Sequence, residues 1–144
     1  MRDLTARGEQ QARVAGLALA RMGASFDAIL FSPKVRARRT AEIASQSWSD
    51  EQRALLCAHP PLAGGFGVAD ALDALSPLGA DGRLLLVGHE PDLSRVAGEL
   101  TGGRVDVKKG GLAVVRLEGV GGELAVLMRP RELALIAGVP LDGE

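Results

Sequence analysis

Two short segments gather the residues of this chain best suited to holding an anion. The first is Ser32-Pro33-Lys34-Val35-Arg36, which runs on through Arg38, Arg39 and Thr40; the second is Gly88-His89-Glu90-Pro91-Asp92. A guanidinium presents a planar fork of donors that can bind two oxygens of one oxyanion at once. An imidazole beside a helix N-terminus can donate to an anion or take part in group transfer. Gly88 lets the backbone turn tightly and approach a ligand. Arg36 and His89 are therefore the candidate catalytic and substrate-binding residues, with Gly88 as a further binding position. Arg38 and Arg39 read as solvated surface, His59 beside Pro60-Pro61 as a loop residue, and Cys57 as a small buried apolar residue.

These segments need elements that bring them together. Each follows a short apolar run, Ala28 to Phe31 and Leu84 to Val87, which reads as a buried strand. The second run, apolar at every position, is the pattern of a central strand covered on both faces. Thr5 can cap a helix beginning at Ala6, whose apolar positions Ala12, Ala15, Leu19 and Met22 lead to Gly23 as its stop. A second helix is expected from Lys34 to Ser47, a short third one carrying Val68, Leu72 and Leu75, and a fourth carrying Leu93, Val96, Ala97 and Leu100 up to Gly102. Leu112 to Leu117 and Leu124 to Met128 read as a hairpin joined across Gly119 to Gly122, and a last helix covers Arg131 to Ala137. The stretch from Asp50 to Gly67 shows no regular period, being broken by Pro60-Pro61 and Gly64-Gly65. Alternating strands and helices predict an α/β domain over residues 1–144, and ligands of open α/β sheets bind beyond the carboxyl ends of the strands.

Composition narrows the function. With 47% hydrophobic and 24% charged residues the chain is expected to fold, and a net charge of -1 gives no global field toward nucleic acid or membrane. Aromatics at 3% with no Tyr argue against a base-stacking surface. One cysteine excludes an internal disulfide, and two histidines make a zinc cage depend on carboxylates, so no metal and no cofactor are expected. No apolar run approaches the roughly 20 residues that span a bilayer, and the first residues show no signal-peptide core, which predicts a cytoplasmic protein.

Three segments together resemble the histidine phosphatase superfamily, and within it the SixA-type phosphohistidine phosphatases. Leu4-Thr5-x-x-Gly8-x-x-Gln11-Ala12 is similar to the opening helix motif of that family. Ser32-Pro33-x-x-Arg36-Ala37-x-x-Thr40-Ala41 resembles its phosphate-binding arginine segment, and Val87-Gly88-His89-Glu90-Pro91-Asp92-Leu93 its second pocket-histidine segment. Lys108-Lys109-Gly110-Gly111-Leu112-Ala113-Val114 is similar to the SixA-type C-terminal half.

The resemblance implies a three-layer, phosphoglycerate-mutase-like domain. Its sheet would be mixed and mostly parallel, with helices on both faces and a C-terminal antiparallel hairpin. It implies hydrolysis of phosphohistidine in a protein, such as a phosphohistidine-bearing signalling protein, or of a small phosphomonoester. Arg36 would clamp the phosphoryl group, His89 would donate to its oxygens, and a phosphohistidine enzyme intermediate would form on another histidine. In the family that nucleophile ends a first strand in R-H-G or R-H-A, upstream of the L-T-x-x-G segment. Here only Met1, Arg2 and Asp3 precede Leu4, so no nucleophile is assigned in this chain and the chain by itself is expected to be inactive. The alternative is a phosphate- or phosphoprotein-binding module without turnover. A sheet lacking that strand is expected to show a slot beside Leu84 to Val87, or the Leu112 to Leu117 strand moved in to close it.

Overall fold

The Thr5 hydroxyl accepts the Gly8 N–H at 3.0 Å and opens helix α1, Ala6–Arg21, which ends before Gly23 with its φ of 73°. The computed structural model describes residues 4–118 and 121–141. Strand β1 (Ala28–Phe31) follows, then α2 (Val35–Ser45), a single helical turn α3 (Asp50–Arg53) and strand β2 (Leu56–Ala58). Helix α4 (Val68–Leu75), strand β3 (Leu84–Val87) and helix α5 (Asp92–Thr101) come next. The chain closes with strands β4 (Leu112–Glu118) and β5 (Gly121–Met128) and helix α6 (Pro130–Ala137).

The parallel strands and the antiparallel hairpin expected from the sequence are both present, as two sheets. One is parallel in the order β2-β1-β3, and the other pairs β4 with β5. β1 meets β3 over Ala28↔Leu84 to Phe31↔Val87 and meets β2 over Ile29↔Leu56 to Phe31↔Ala58. Leu30 and Leu86 point to one face, into a cluster with Leu62, Phe66, Ala71 and Val96 beneath α4 and α5. Side chains alternate along a strand, so the buried Ile29 and Phe31 serve the opposite face, where α2 packs on β1 and β3. A second cluster joins Val14 and Ala18 of α1 to Leu133 and Ala137 of α6, with Leu112 and Met128 of the hairpin against it.

Three expectations need correction. Among the described residues Leu84–Val87 is an edge strand of the parallel sheet, not a central one, and all four of its residues are half-buried. Its second ladder side meets no strand among those residues, and Leu112–Glu118 pairs with β5 and not with β3. Cys57 is exposed, because β2 is the other edge of the sheet. The hairpin strand starts at Gly121, earlier than expected, while Gly119 and Val120 of the expected turn lie outside the described residues. No described helix is long and apolar enough to cross a membrane.

The crossing of α1 over α2 is set by Gly16. A Cβ there would lie 2.0 Å from the Ala44 carbonyl oxygen, and the Trp48 indole N–H donates to the Gly16 carbonyl at 3.0 Å. In an open helix Gly→Ala gains about 1 kcal/mol from propensity. Here a backbone atom stands in the way, so the clash decides the sign. Gly16→Ala is expected to lower unfolding stability by roughly 1–3 kcal/mol, the usual cost of overpacking. Urea titration followed by far-ultraviolet circular dichroism measures it; a stabilised variant would show that the helices separate freely at this crossing.

Candidate functional site

The in-register pairing of β1 with β3 carries both candidate segments to one end of the sheet. The ladder continues one residue past β1, where the Ser32 N–H donates to the Val87 carbonyl at 2.9 Å. The chain then leaves β1 into α2, with Arg36 in its first turn, and leaves β3 through Gly88 and His89 toward α5. On the other flank the His59 N–H donates to the Phe31 carbonyl at 2.8 Å, so the end of β2 lies there too.

His89 is half-buried, and its Nε2 shares a 2.8 Å hydrogen bond with the Ser32 hydroxyl, whose residue is wholly buried. The same hydroxyl oxygen accepts the Lys34 N–H at 3.2 Å. When the ring is neutral with its proton on Nδ1, the Ser32 hydrogen is free to go to Nε2, and Nδ1–H is the donor left for another group. Ser32 thus fixes the ring and joins two segments 57 residues apart. Burial lowers the His89 pKa from the ordinary imidazole value, the charges of Lys34 and Arg36 lower it further, and Asp92 opposes them. An environment that disfavours imidazolium through nearby cations is one that favours an anion.

Arg36 is exposed, and its charge acts on His89. Arg38 is exposed as read, and Arg39 is spent on a surface pair with Glu9 at 3.6 Å. Gly88 is half-buried and does not use the left-handed region. Its need for a missing side chain is one of packing, since a Cβ would lie 3.2 Å from Leu62 Cδ2. Glu90 accepts from the Ser94 N–H at 3.1 Å and from the Ser94 hydroxyl, so it caps the first turn of α5. Asp92 accepts the Phe66 N–H at 3.2 Å and pairs with Arg95 at 2.7 Å. Burial pushes its carboxyl up, but the hydrogen bonds from Arg95 and Phe66 and the charge of Arg95 hold it below the ordinary value. His59 stacks edge-on to Phe66, with ring centroids 6.3 Å apart. No cluster of three metal-ligating side chains exists among the described residues.

Sequence reasoning placed Ser32, Lys34 and Asp92 in the two candidate segments but gave none of them a role. Ser32 opens the first segment and the Ser32-Pro33-x-x-Arg36 motif, and its hydroxyl at a strand end is within reach of whatever stands on the neighbouring strand. Lys34 and Asp92 were visible as charges, but nothing in their spacing told that both act on His89.

Comparison with known proteins bears on this arrangement. The model of the histidine phosphatase superfamily (branch 1) matches residues 2–55, which include Ser32 and Arg36 and end before His89. An uncharacterized protein of Picosynechococcus sp. (strain ATCC 27264 / PCC 7002 / PR-6) is 34% identical over 125 residues, covering 80% of this chain and 72% of that one. The structure of the protein histidine phosphatase SixA complexed with tungstate aligns with a TM-score of 0.79 at 22% identity, over 92% of this chain and 87% of the other. A candidate alpha-ribazole-5'-P phosphatase of Escherichia coli str. K-12 substr. MG1655 aligns at 0.72 with 21% identity, over 88% and 84% of the two chains. At such identities the two structures establish a shared fold.

The lowered His89 pKa has a signed consequence. A neutral imidazole favoured by the fold contributes stability that is present above the unfolded value of about 6.5 and is lost as pH falls through the folded value. The His89 ring is expected to titrate by NMR with a midpoint below that of an unfolded histidine peptide. Ser32→Ala, which removes the hydroxyl at Nε2, is expected to shift that midpoint. An unchanged midpoint would show that the ring is not held by Ser32.

Proposed function

Because this chain belongs to the histidine phosphatase superfamily, we propose that it handles phosphoryl groups at the His89 end of its parallel sheet, as a phosphohistidine phosphatase-like hydrolase. The observation that carries the reading is His89 held by Ser32 where β1 and β3 end, with the charges of Lys34 and Arg36 acting on its ring. A tetrahedral oxyanion there would take the guanidinium fork of Arg36 on two oxygens and the Nδ1–H of His89 on a third. Gly88 keeps the backbone next to the ring free of a side chain. The tungstate in the SixA structure is a phosphate-shaped anion, which supports an oxyanion as the ligand of this fold.

The substrate proposed is phosphohistidine on a protein, with a small phosphomonoester as the second candidate. Phosphohistidine suits a site without a free general acid. Imidazole is a tolerable leaving group, and Glu90, the carboxylate next to His89, is committed to Ser94. The resemblance gives the attacking role to neither His59 nor His89, the two histidines of residues 1–144. The transfer step is therefore proposed to need a histidine from outside these residues. Without one, residues 1–144 bind the phosphoryl group and do not turn it over.

The test separates binding from turnover. Sulfate keeps its charge from pH 5 to pH 8 and serves as the phosphate-shaped probe in isothermal titration, with pH limits of about those values set by the imidazole range. Sulfate is expected to bind, to bind more tightly as pH falls through the His89 value, and to lose roughly tenfold or more in affinity in Arg36→Ala and in His89→Ala. Affinity that ignores both substitutions would remove the site. Hydrolysis of a phosphohistidine peptide by residues 1–144 is expected to be negligible; turnover with a phosphoryl group trapped covalently on the His89 ring would instead identify His89 as the nucleophile.

A further inference from the structure

An open cavity of about 550 Å³ lies between the start of α1, the loop before β4 and the start of α6. Five cations line it: Arg7, Lys108, Lys109, Arg129 and Arg131, all of them exposed, and no carboxylate or aromatic residue is among its walls. Carboxylates of the described residues pair with some of these cations. Asp106 pairs with Lys108 at 2.7 Å, and Glu132 with Arg129 at 3.0 Å and Arg131 at 4.0 Å. The lining itself is basic on a chain whose net charge is -1. Exposed pairs of this kind are weak and readily exchanged for an incoming carboxylate.

Two contacts tie walls of the cleft to the segments that carry His89 and Arg36. The Val107 N–H donates to the Ser94 hydroxyl at 2.9 Å, and Ser94 is itself held by Glu90, so the Lys108 loop hangs on the first turn of α5 directly after His89. Glu9 of α1 pairs with Arg39 of α2 at 3.6 Å, about one helical turn beyond Arg36. We propose that this basic cleft is a docking surface for an acidic segment of the protein that carries the phosphoryl group. The proposal rests on the phosphoprotein reading above and adds the chemistry of the partner. Cations delivered by three separate segments suit carboxylates spread along an extended peptide, which advances about 3.3 Å per residue, better than one compact anion. Walls without aromatic rings offer nothing for bases to stack on, which turns the reading away from single-stranded nucleic acid.

A fluorescein-labelled, phosphate-free peptide rich in Asp and Glu, titrated with residues 1–144 and followed by anisotropy, tests the cleft; a Lys-rich peptide of equal length is the comparison. The acidic peptide is expected to bind and the basic one not. Its affinity is expected to fall several-fold between ionic strengths of about 0.01 M and 0.15 M, as screening shortens the reach of the cations. The double variant Lys109→Glu, Arg131→Glu, made at two exposed positions, is expected to weaken the acidic peptide tenfold or more while leaving sulfate affinity unchanged. Arg36→Ala is expected to do the reverse. Failure of the acidic peptide to bind, equal binding of the basic peptide, or an unaffected double variant overturns the proposal. Lost sulfate binding with peptide binding intact counts against the phosphoryl reading alone.

Discussion

The register between β1 and β3 is the constraint on which the site depends. Pairing Ala28 with Leu84 and Phe31 with Val87 leaves both strands ending at the same level, and the bond from the Ser32 N–H to the Val87 carbonyl carries the match one step further. A slip of one residue by either strand would turn its leucine, Leu30 or Leu86, out of the cluster around Phe66. It would also part the Ser32 hydroxyl from His89. Packing in the core and geometry at the site are therefore specified by the same few hydrogen bonds, which is how a strand pair of four residues can hold an imidazole in one orientation.

Local chemistry made much of this legible in the sequence. Thr5, Gly23 and Gly102 marked helix ends where the backbone indeed needs a cap or a left-handed residue. The apolar runs at Ala28–Phe31 and Leu84–Val87 became strands, and the residues just beyond them became the site. What remained hidden was neighbourhood. Leu56-Cys57-Ala58 is too short to show a period, so β2 went unread, and with it the exposure of Cys57. Nothing in Leu84–Val87 says how many strands flank it, since four apolar residues look the same in the middle of a sheet and at its edge. The bond between Ser32 and His89 joins positions far apart in the chain, and no local pattern encodes it.

The division into two sheets follows from which faces are covered. α5 packs beneath the hairpin and shares the cluster of α4 and the parallel sheet, while α1 and α6 close over the hairpin's other residues. Helices thus tie the two sheets together, with no backbone ladder between them among the described residues. Among the described residues β3 has one ladder side unpaired, and no Pro or charge stands along its four residues to blunt it. Natural edge strands usually carry such a guard. That side is open to pairing with another strand, as is the outer side of β2.

Trp48 gives the α1–α2 crossing an optical signature. It is the only tryptophan of a chain that has no tyrosine, and its indole is bonded to the Gly16 carbonyl and tilted against Phe26 at 5.9 Å. Intrinsic emission excited in the near ultraviolet therefore comes essentially from one ring, seated where two helices touch. A fluorescence trace of this protein reports the docking of α1 on α2 and is silent about the His89 end, so only a second probe placed there can tell whether the two ends of the molecule loosen together.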